Sequence, residues 1–474
     1  MFKKIYNSSI FTSWISQVVK VVFGLITLPI VLKKFSIEET NLWFLFTTIV
    51  GIGQGIQYGF NSTFVRYFSY SYSGVNVKDF FKIKDRVSIS SSGNVNESEF
   101  SDLLIVMKKT FLILTILYFI LVLFLGTLSI LKPVNYLENR YEGWIAWGLI
   151  IFGTTFNIYM TIYQIYLRGI NKVALINRVS TIVSFFGVFL VLYVGIFFAR
   201  LITIVFVVEL IAIINSISIY FLSRKVNNNF LIELPKSKFK KEVFVVVWDS
   251  AWKSGITTIF ATIIKHVSGI IVAQLFNPVT SASFLLTKRI FELLESFMMV
   301  TFQAKVPEIA SLRAIGDFKR LIPLLYKVLY LLYGIFIMGV FIILFFGENL
   351  ILLIKGNTDL GDVNLLIAFT FSTLILRWAG INLSISNQAN HVIEHINGFI
   401  VFVCYFLFLG VFYKQLGVIV FPLAILFATL VTSPLIIRGT YKTLHTTFFE
   451  FEKRIFIPTI CIVSLICFVK FLMS

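Results

Sequence analysis

Long apolar runs, separated by short polar connections, dominate this chain. A helix needs about 20 apolar residues to cross the hydrocarbon core of a bilayer, and twelve runs have about that length. They lie near residues 10–32, 42–65, 110–131, 144–167, 179–198, 201–222, 254–276, 281–304, 328–346, 363–385, 396–413 and 417–437. The pattern predicts an all-α polytopic membrane protein with about 12 transmembrane helices, or 13 if a further apolar run at 455–472 also spans.

The first apolar run follows a positively charged start, Met1-Phe2-Lys3-Lys4. Signal peptides begin in a similar way, but this run is too long for one, lacks a small-residue cleavage site and contains Lys20. We therefore expect it to remain in the protein as the first transmembrane helix.

A polar connection divides the runs into two blocks of six. The residues that follow span four, 171–177, also resemble those that follow span ten, 390–397. Transporters are commonly built from two such repeats, with the substrate site between them. The pattern therefore predicts two six-helix lobes around a central cavity. The predicted boundaries are an N-terminal lobe at 1–222, a cytoplasmic interlobe linker at 223–253, a C-terminal lobe at 254–437 and a tail at 438–474 with the extra helix.

Composition excludes a soluble protein. The chain has 474 residues, of which 58% are hydrophobic and 14% are charged, and its mean hydropathy is +0.91. Charged residues make up about 25% of an ordinary soluble domain. Three cysteines, Cys404, Cys461 and Cys467, lie in apolar runs without the spacing of metal ligands, so we expect neither a disulfide nor a metal site.

Positive charge is distributed unevenly between alternate connections. Cytoplasmic loops of membrane proteins retain an excess of Lys and Arg. With the N-terminus in the cytoplasm, the inner segments hold 28 basic residues and the outer loops hold 7. The net charge of +18 therefore reflects topology and contact with anionic lipid headgroups, and we expect no nucleic acid partner. The longest outer loop runs only from about 347 to 362, which is too short for a folded catalytic domain.

Three basic residues, Lys20, Lys265 and Arg377, lie well inside apolar runs. An unpaired charge within a membrane is costly and usually marks function. Lys20 and Lys265 occupy corresponding places near the middle of the first helix of each half, too far from either helix end for easy snorkelling. The planar fork of Arg377 suits bidentate contact with a phosphate or a carboxylate. These residues predict a cationic cavity for an anionic cargo, although Arg377 would also suit a structural pair with an intramembrane acid.

Other ionisable residues inside the spans have weaker functional interpretations. Glu209 in span six can pair with a lysine or carry a proton, and the sequence does not choose between these roles. His266 is a possible titrating group, but helix packing is the more common role of such a residue. Span eight carries four charges spaced so that one helix face can neutralise them internally, and this structural role is favoured. They are Lys288, Arg289, Glu292 and Glu295.

Several kinds of chemistry have no support in the sequence. No glycine-rich phosphate loop with a following Lys-Ser or Lys-Thr is present, so ATP hydrolysis is not expected. His391 and His395 have the spacing of a metal pair around Glu394, but no third ligand is within reach. No catalytic arrangement stands above chance. We expect a transporter rather than an enzyme, without a cofactor, and with H+ or Na+ gradient coupling as its possible energy source.

Several motifs, in order along the chain, carry a resemblance to a known family. They are the segment 24–32, the loop 33–41, Leu42-Trp43, the helix end 59–67, the segment Arg168-Gly169-Ile170-Asn171-Lys172-Val173, and the segment 306–312 with Gly316-Asp317. This succession resembles Wzx-type O-antigen flippases, in the polysaccharide transport branch of the MOP exporter superfamily. The resemblance covers most of the chain, and none of its motifs is catalytic.

The resemblance implies two six-helix lobes around a cationic cavity that work by alternating access. The implied cargo is an oligosaccharide linked to undecaprenyl diphosphate, which crosses from the cytoplasmic to the periplasmic leaflet of the bacterial inner membrane for O-antigen, lipopolysaccharide or related polysaccharide synthesis. Membrane lipids and other surface polysaccharide assembly proteins are the implied partners. The family pattern does not assign roles to individual charges, so Lys20, Lys265 and Arg377 are expected to bind the diphosphate on physical grounds alone.

Two alternatives remain open. A cation-coupled multidrug exporter of the same superfamily would need a net acidic cavity, whereas this chain has five deep cations against three deep acids. A membrane-embedded polysaccharide polymerase or ligase would need carboxylates or a basic cluster in a sizeable outer loop. The charges and the loop lengths favour the flippase.

Overall fold

The structure is a computed structural model, and it describes residues 9–72, 97–226, 238–315, 317–354, 357–387 and 394–473. Each of the 13 predicted apolar runs is helical, and no strand occurs in these ranges. The prediction of an all-α membrane protein is confirmed.

The helices of the first half follow the predicted order. They are α1 (Ser9–Lys34), α2 (Ile37–Tyr72), α3 (Glu97–Leu121), α4 (Thr127–Asn135), α5 (Arg140–Gly169), α6 (Val173–Phe197) and α7 (Leu201–Lys225). One π-helical turn, Val122–Gly126, joins α3 to α4. The indole of Trp147 packs over Gly126 and donates a hydrogen bond to Thr127 Oγ1 at 3.0 Å, which holds this turn against α5.

The second half is also a succession of long helices. They are α8 (Lys241–Leu275), α9 (Pro278–Ile315), α10 (Phe318–Ile354), α11 (Val363–Asn387), α12 (Glu394–Leu416), α13 (Val420–Leu444), α14 (Phe448–Glu452) and α15 (Phe456–Met473). The predicted linker is therefore helical at both ends, because α7 reaches Lys225 and α8 begins at Lys241.

Ten stretches of the described residues are long and apolar enough to cross a membrane. The helices α2 and α9 are not among them, because polar residues interrupt α2 and four charges lie in the middle of α9. The helices α12 and α13 form one continuous apolar stretch, Ile396–Lys442. The number of 12 spans stays a prediction.

The chain packs into two compact units. Unit 1 comprises the described parts of Met1–Ile30 and Leu45–His266, and unit 2 comprises those of Val31–Phe44 and Val267–Ser474. The boundary between the units thus falls inside α8, directly after His266. The predicted division into lobes at 223–253 stays a prediction.

An aromatic core fills one end of unit 1, where α2, α3, α5 and the start of α8 meet. The rings of Phe68 and Phe100 lie 4.9 Å apart. The Phe68 side chain packs directly on Gly169, where a side chain would overlap it, and the next turn is closed by Asn171 in a left-handed conformation with φ of 60°. The motif at 168–173 therefore serves close packing between α2 and the α5–α6 turn.

Unit 2 contains the turn between α1 and α2. Ser36 and Glu39 cap the start of α2 reciprocally, since Glu39 Oε2 accepts from Ser36 N at 3.0 Å and Ser36 Oγ accepts from Glu39 N at 3.2 Å. Asn357 fixes the turn from the other side, because its backbone N donates to Leu32 O and its Nδ2 donates to Phe35 O, each at 2.8 Å. The loop motif at 33–41 is thus a capped and bound helix start.

The C-terminal segment packs against α10 and α11 of unit 2. Glu452, at the end of α14, is 2% exposed. Its Oε1 accepts hydrogen bonds from Trp378 Nε1 of α11, at 2.8 Å, and from the Tyr441 hydroxyl of α13. These bonds join the tail to two transmembrane helices. The predicted thirteenth apolar run is therefore a packed helix, α15.

Candidate functional site

Two of the predicted cavity cations lie in unit 1, on separate helices. Lys20 of α1 has an exposed side chain, and no hydrogen bond or ion pair joins it to another described residue. The positive charge of Arg168 is close enough to interact with it. Lys265 of α8 also has an exposed side chain. Unit 1 therefore presents positive charge from the interior of two apolar helices.

His266, next to Lys265, packs against α2. A Cβ on Gly51 would overlap its imidazole ring, and one turn further along α2 a Cβ on Gly55 would overlap the Thr262 side chain. The two glycines and their two partners each have i, i+4 spacing, so one face of α2 lies on one face of α8. This arrangement agrees with the packing interpretation of His266.

Glu209 of α7 is the buried acid of unit 1, with 7% exposure. Its carboxyl group lies over Gly153 of α5, where any side chain would overlap it. The described residues provide no lysine, arginine or histidine as its ion-pair partner. Of the two roles predicted for Glu209, pairing with a lysine is not what the structure shows.

The four charges of α9 are all in unit 2, and they use different partners. Arg289 Nη1 lies 3.3 Å from Glu292 Oε2 within the helix. Lys288 Nζ donates to Ser268 Oγ of α8 at 3.1 Å. Glu295 instead bonds to another helix, because its Oε1 lies 3.0 Å from Arg377 Nη2 of α11. The pair Arg289–Glu292 is neutralised within one helix, as predicted, whereas Glu295 pairs with a second helix.

Arg377 has the intramembrane acid partner that the structural interpretation requires, and this acid is Glu295 rather than Glu209. The Nε–H of Arg377 is buried without a hydrogen-bond partner. A buried unsatisfied donor is costly, so the guanidinium keeps capacity for one further acceptor. Phosphate and carboxylate oxygens suit this position because they form charge-assisted bonds.

A buried cluster around Glu452 was not predicted from the sequence. Burial raises the pKa of Glu452, although hydrogen bonds from Tyr441 and Trp378 favour its ionised form and oppose this shift. The sequence feature that could have indicated this cluster is an acid close to several aromatic residues, because Phe448, Phe449 and Phe451 come shortly before Glu452. Glu452 is a buried acceptor because Trp378 of α11 and Tyr441 of α13 donate to it, and the packing of these two helices is not visible in the local sequence.

Histidine and cysteine do not add a metal centre in the part of the chain that is described. No group of three or more His, Cys, Asp or Glu side chains there can hold a metal ion. His391 lies outside the described residues, and only the backbone of His395 is described. The three cysteines are free thiols.

Solved structures match this arrangement of helices over nearly the whole chain. An inward-facing multidrug resistance MATE transporter of the MOP superfamily has a TM-score of 0.62 and 13% identity, over 92% of this chain and 98% of its own. The lipid II flippase MurJ, in an inward closed conformation, has a TM-score of 0.60 and 16% identity, over 97% of each chain. The fold is that of the MOP-superfamily transporters.

The same MOP fold is found in a mutant of the Vibrio cholerae MATE transporter VcmN, with a TM-score of 0.59 and 11% identity, over 93% of this chain and 97% of that one. No protein-family model and no curated protein sequence matches this chain. With its apolar helices and this fold, the chain is a multi-pass membrane protein. The MOP fold is shared by drug exporters and a lipid flippase. An argument about the cargo therefore depends on the charged residues.

Proposed function

We propose that this protein is a flippase that moves an undecaprenyl-diphosphate-linked oligosaccharide from the cytoplasmic to the periplasmic leaflet by alternating access. The cargo would be a repeat unit of O-antigen or a related surface polysaccharide. The observation that carries the proposal is the pair of exposed lysines, Lys20 and Lys265, in the interior of apolar helices. The MOP fold, which the lipid II flippase MurJ shares, supports it.

The sign of the exposed charge favours an anionic headgroup. In unit 1 the two deep lysines are exposed, whereas the deep acid, Glu209, is buried. In unit 2 the charge of Arg377 is balanced by Glu295, and its buried Nε–H has no hydrogen-bond partner. Moving a diphosphate out of water is costly unless cations and hydrogen-bond donors replace its hydration. Lys20, Lys265 and Arg377 would supply these groups while the polyprenyl tail stays in lipid.

The proposed setting follows from the charge distribution along the chain. The excess of basic residues in the proposed inner segments supports a cytoplasmic N-terminus. The proposed location is the bacterial inner membrane. The proposed partners are membrane lipids and other proteins of surface polysaccharide assembly. A gradient of H+ or Na+ would supply the energy of transport.

A cation-coupled multidrug exporter is the second candidate, because MATE transporters share the fold. Such a protein would bind cationic amphipathic compounds, and the exposed lysines would repel them. A polymerase or ligase is a less favoured alternative, since the fold is one of transporters.

The test is display of surface polysaccharide in cells that lack their own flippase and carry the matching sugar-assembly genes. We expect this protein to restore display and to prevent lipid-linked oligosaccharide from accumulating in the inner leaflet. In parallel, cells that lack drug exporters would express the protein and be grown with cationic drugs. Drug resistance without restored display would favour the exporter and overturn the flippase.

A further inference from the structure

The interface between α5 and α7 in unit 1 encloses a single acidic side chain. Glu209 is 7% exposed, and its carboxyl occupies the space that Gly153 leaves by having no side chain. A carboxylate in a low-dielectric interior is costly unless a positive charge accompanies it. The question is therefore what neutralises Glu209.

The groups that face Glu209 are uncharged. The Tyr118 hydroxyl of α3 is the titratable group near it, and this buried hydroxyl lies beside the Thr154 hydroxyl of α5. Beside it, Thr154 uses its own hydroxyl hydrogen to bond Ile150 O at 2.6 Å. Among the described residues no charged side chain interacts with Glu209. None of the described charges therefore neutralises Glu209.

The helix α6 also packs against α7 but brings no charge to this level. Its Gly187 lies against Ile211, close to Glu209 in sequence. Its arginine, Arg178, lies about two and a half turns from Gly187 toward the other end of α6. The Glu209 carboxyl thus lies against α5 and near Tyr118 of α3, and neither helix brings a cation to it.

A column of polar groups continues along the same interface. About two helical turns from Glu209 along α7, Ser216 Oγ donates a hydrogen bond to Asn157 Oδ1 of α5 at 2.6 Å. About one turn further along α7, the ring of Tyr220 contacts the ring of Tyr163 of α5, with 4.8 Å between the ring centroids. Arg224 Nη1 donates to the Tyr220 hydroxyl at 3.0 Å, and this last pair is exposed. Polar groups therefore recur along α5 and α7 between Glu209 and the exposed end of α7.

We propose that Glu209 binds and releases a proton, which reaches it along this column. The inference rests on the proposed function to the extent that the proton would drive transport. A proton requires one carboxyl oxygen, whereas a metal cation requires several oxygen ligands. Glu209 and the Tyr118 hydroxyl provide too few, because backbone carbonyls within helices are already hydrogen-bonded.

A second contact links this site to α2 and, through α2, to α8, the helix that carries Lys265. The hydroxyl end of Tyr118 lies against Gly53 of α2, so closely that a side chain at Gly53 would overlap it. On its other face, α2 contacts Thr262 and His266 of α8. The Tyr118 hydroxyl can donate to the ionised carboxylate of Glu209 but is not needed by the protonated form. Proton binding at Glu209 would therefore change the hydrogen bonding of Tyr118, whose side chain contacts Gly53 of α2.

The test is infrared difference spectroscopy of the purified full chain in lipid nanodiscs, titrated with pH in the absence of cargo. We expect a protonated-carboxyl band that disappears on alkaline titration, is lost in Glu209→Gln and remains in Glu292→Gln. A band unaffected by Glu209→Gln would overturn the proposal. Removal of the band by Na+ at constant pH would overturn it in favour of a sodium site.

A second variant keeps the test decisive if Glu209→Gln does not fold. Gly153→Ala places a methyl group where the carboxyl lies, so we expect it to shift the frequency of the band. Gly148→Ala is the matched control on the same helix, because nothing lies within 4 Å of that position. An unchanged band in Gly153→Ala would contradict the assignment. If the band depends on Glu209 but polysaccharide display is not restored, the proton site stands and the flippase proposal fails.

Discussion

Arg377 of α11 and Glu295 of α9 form an ion pair, with 3.0 Å between Nη2 and Oε1 and side-chain exposures of 23% and 18%. The pair joins two helices of unit 2 at residues that are 82 positions apart in sequence. A structural pair and a cargo-binding arginine are not exclusive, since Arg377 Nε keeps a free donor. The two roles make different predictions.

Removing one member of the pair should destabilise the protein. Arg377→Gln leaves the Glu295 carboxylate without its cation, and we expect a loss of about 1–3 kcal/mol, less than for a fully buried pair. The midpoint of thermal unfolding in detergent would measure this loss. Glu292→Gln is the control, because its partner Arg289 is more exposed, at 39%.

The double variant Arg377→Gln with Glu295→Gln separates stability from transport. Removing both charges leaves no unpaired ion, so we expect the unfolding midpoint to recover. Polysaccharide display should nevertheless stay low, because the guanidinium that would meet the diphosphate is absent. Recovery of display together with stability would show that Arg377 acts only as a structural partner.

The glycines of α2 should not tolerate a side chain where α8 contacts them. Gly55→Ala places a methyl group against Thr262, and we expect a loss of about 1–3 kcal/mol from overpacking. Gly380→Ala on α11 is the control, since nothing lies within 4 Å of it. The unfolding midpoints of the two variants would be compared, and an equal effect would contradict close α2–α8 packing.

The attachment of the C-terminal segment should weaken as pH rises. Burial raises the pKa of Glu452 above its ordinary value of 4.5, so the folded state holds a proton that the unfolded state releases. This stabilisation is complete below the ordinary pKa and is lost as pH rises through the raised pKa. The protection factors of the α14 and α15 amides, obtained by dividing the intrinsic exchange rate at each pH by the measured rate, should fall over this range.

Glu452→Gln should remove this pH dependence, because the amide stays neutral and its oxygen can still accept from Trp378 and Tyr441. Glu450→Gln on the same short helix is the control, since Glu450 is exposed. An unchanged pH profile in Glu452→Gln would show that another group is responsible.

The helices could be predicted from sequence because each is a local feature. Apolar runs of about 20 residues specify their own backbone hydrogen bonds in a membrane, and the 13 predicted runs are helical. Whether the thirteenth run spans was left open, and the helix α15 that it forms is long and apolar enough to do so. Its contact with α10 and α11 depends on Glu452, whose partners Trp378 and Tyr441 lie on other helices.

The site residues could be found from sequence, but their partners could not. Charge inside an apolar run is visible locally, which is why Lys20, Lys265, Glu209 and Arg377 were identified. Pairing is a tertiary property, and Arg377 pairs with Glu295 because α9 and α11 are neighbours. The contact between the Glu209 carboxyl and Gly153 likewise depends on the packing of α5 on α7.

The most direct measurement is polysaccharide display in flippase-deficient cells by Lys20→Ala and Lys265→Ala at equal expression. Lys319→Ala, at an exposed position near the start of α10, is the matched control. A cationic site for a diphosphate predicts at least about a tenfold loss of display in both variants, with lipid-linked oligosaccharide accumulating inside and the control unaffected, because one charge-assisted bond is worth about 1.5–3 kcal/mol. Full display by both variants would contradict the assignment of Lys20 and Lys265 to the cargo.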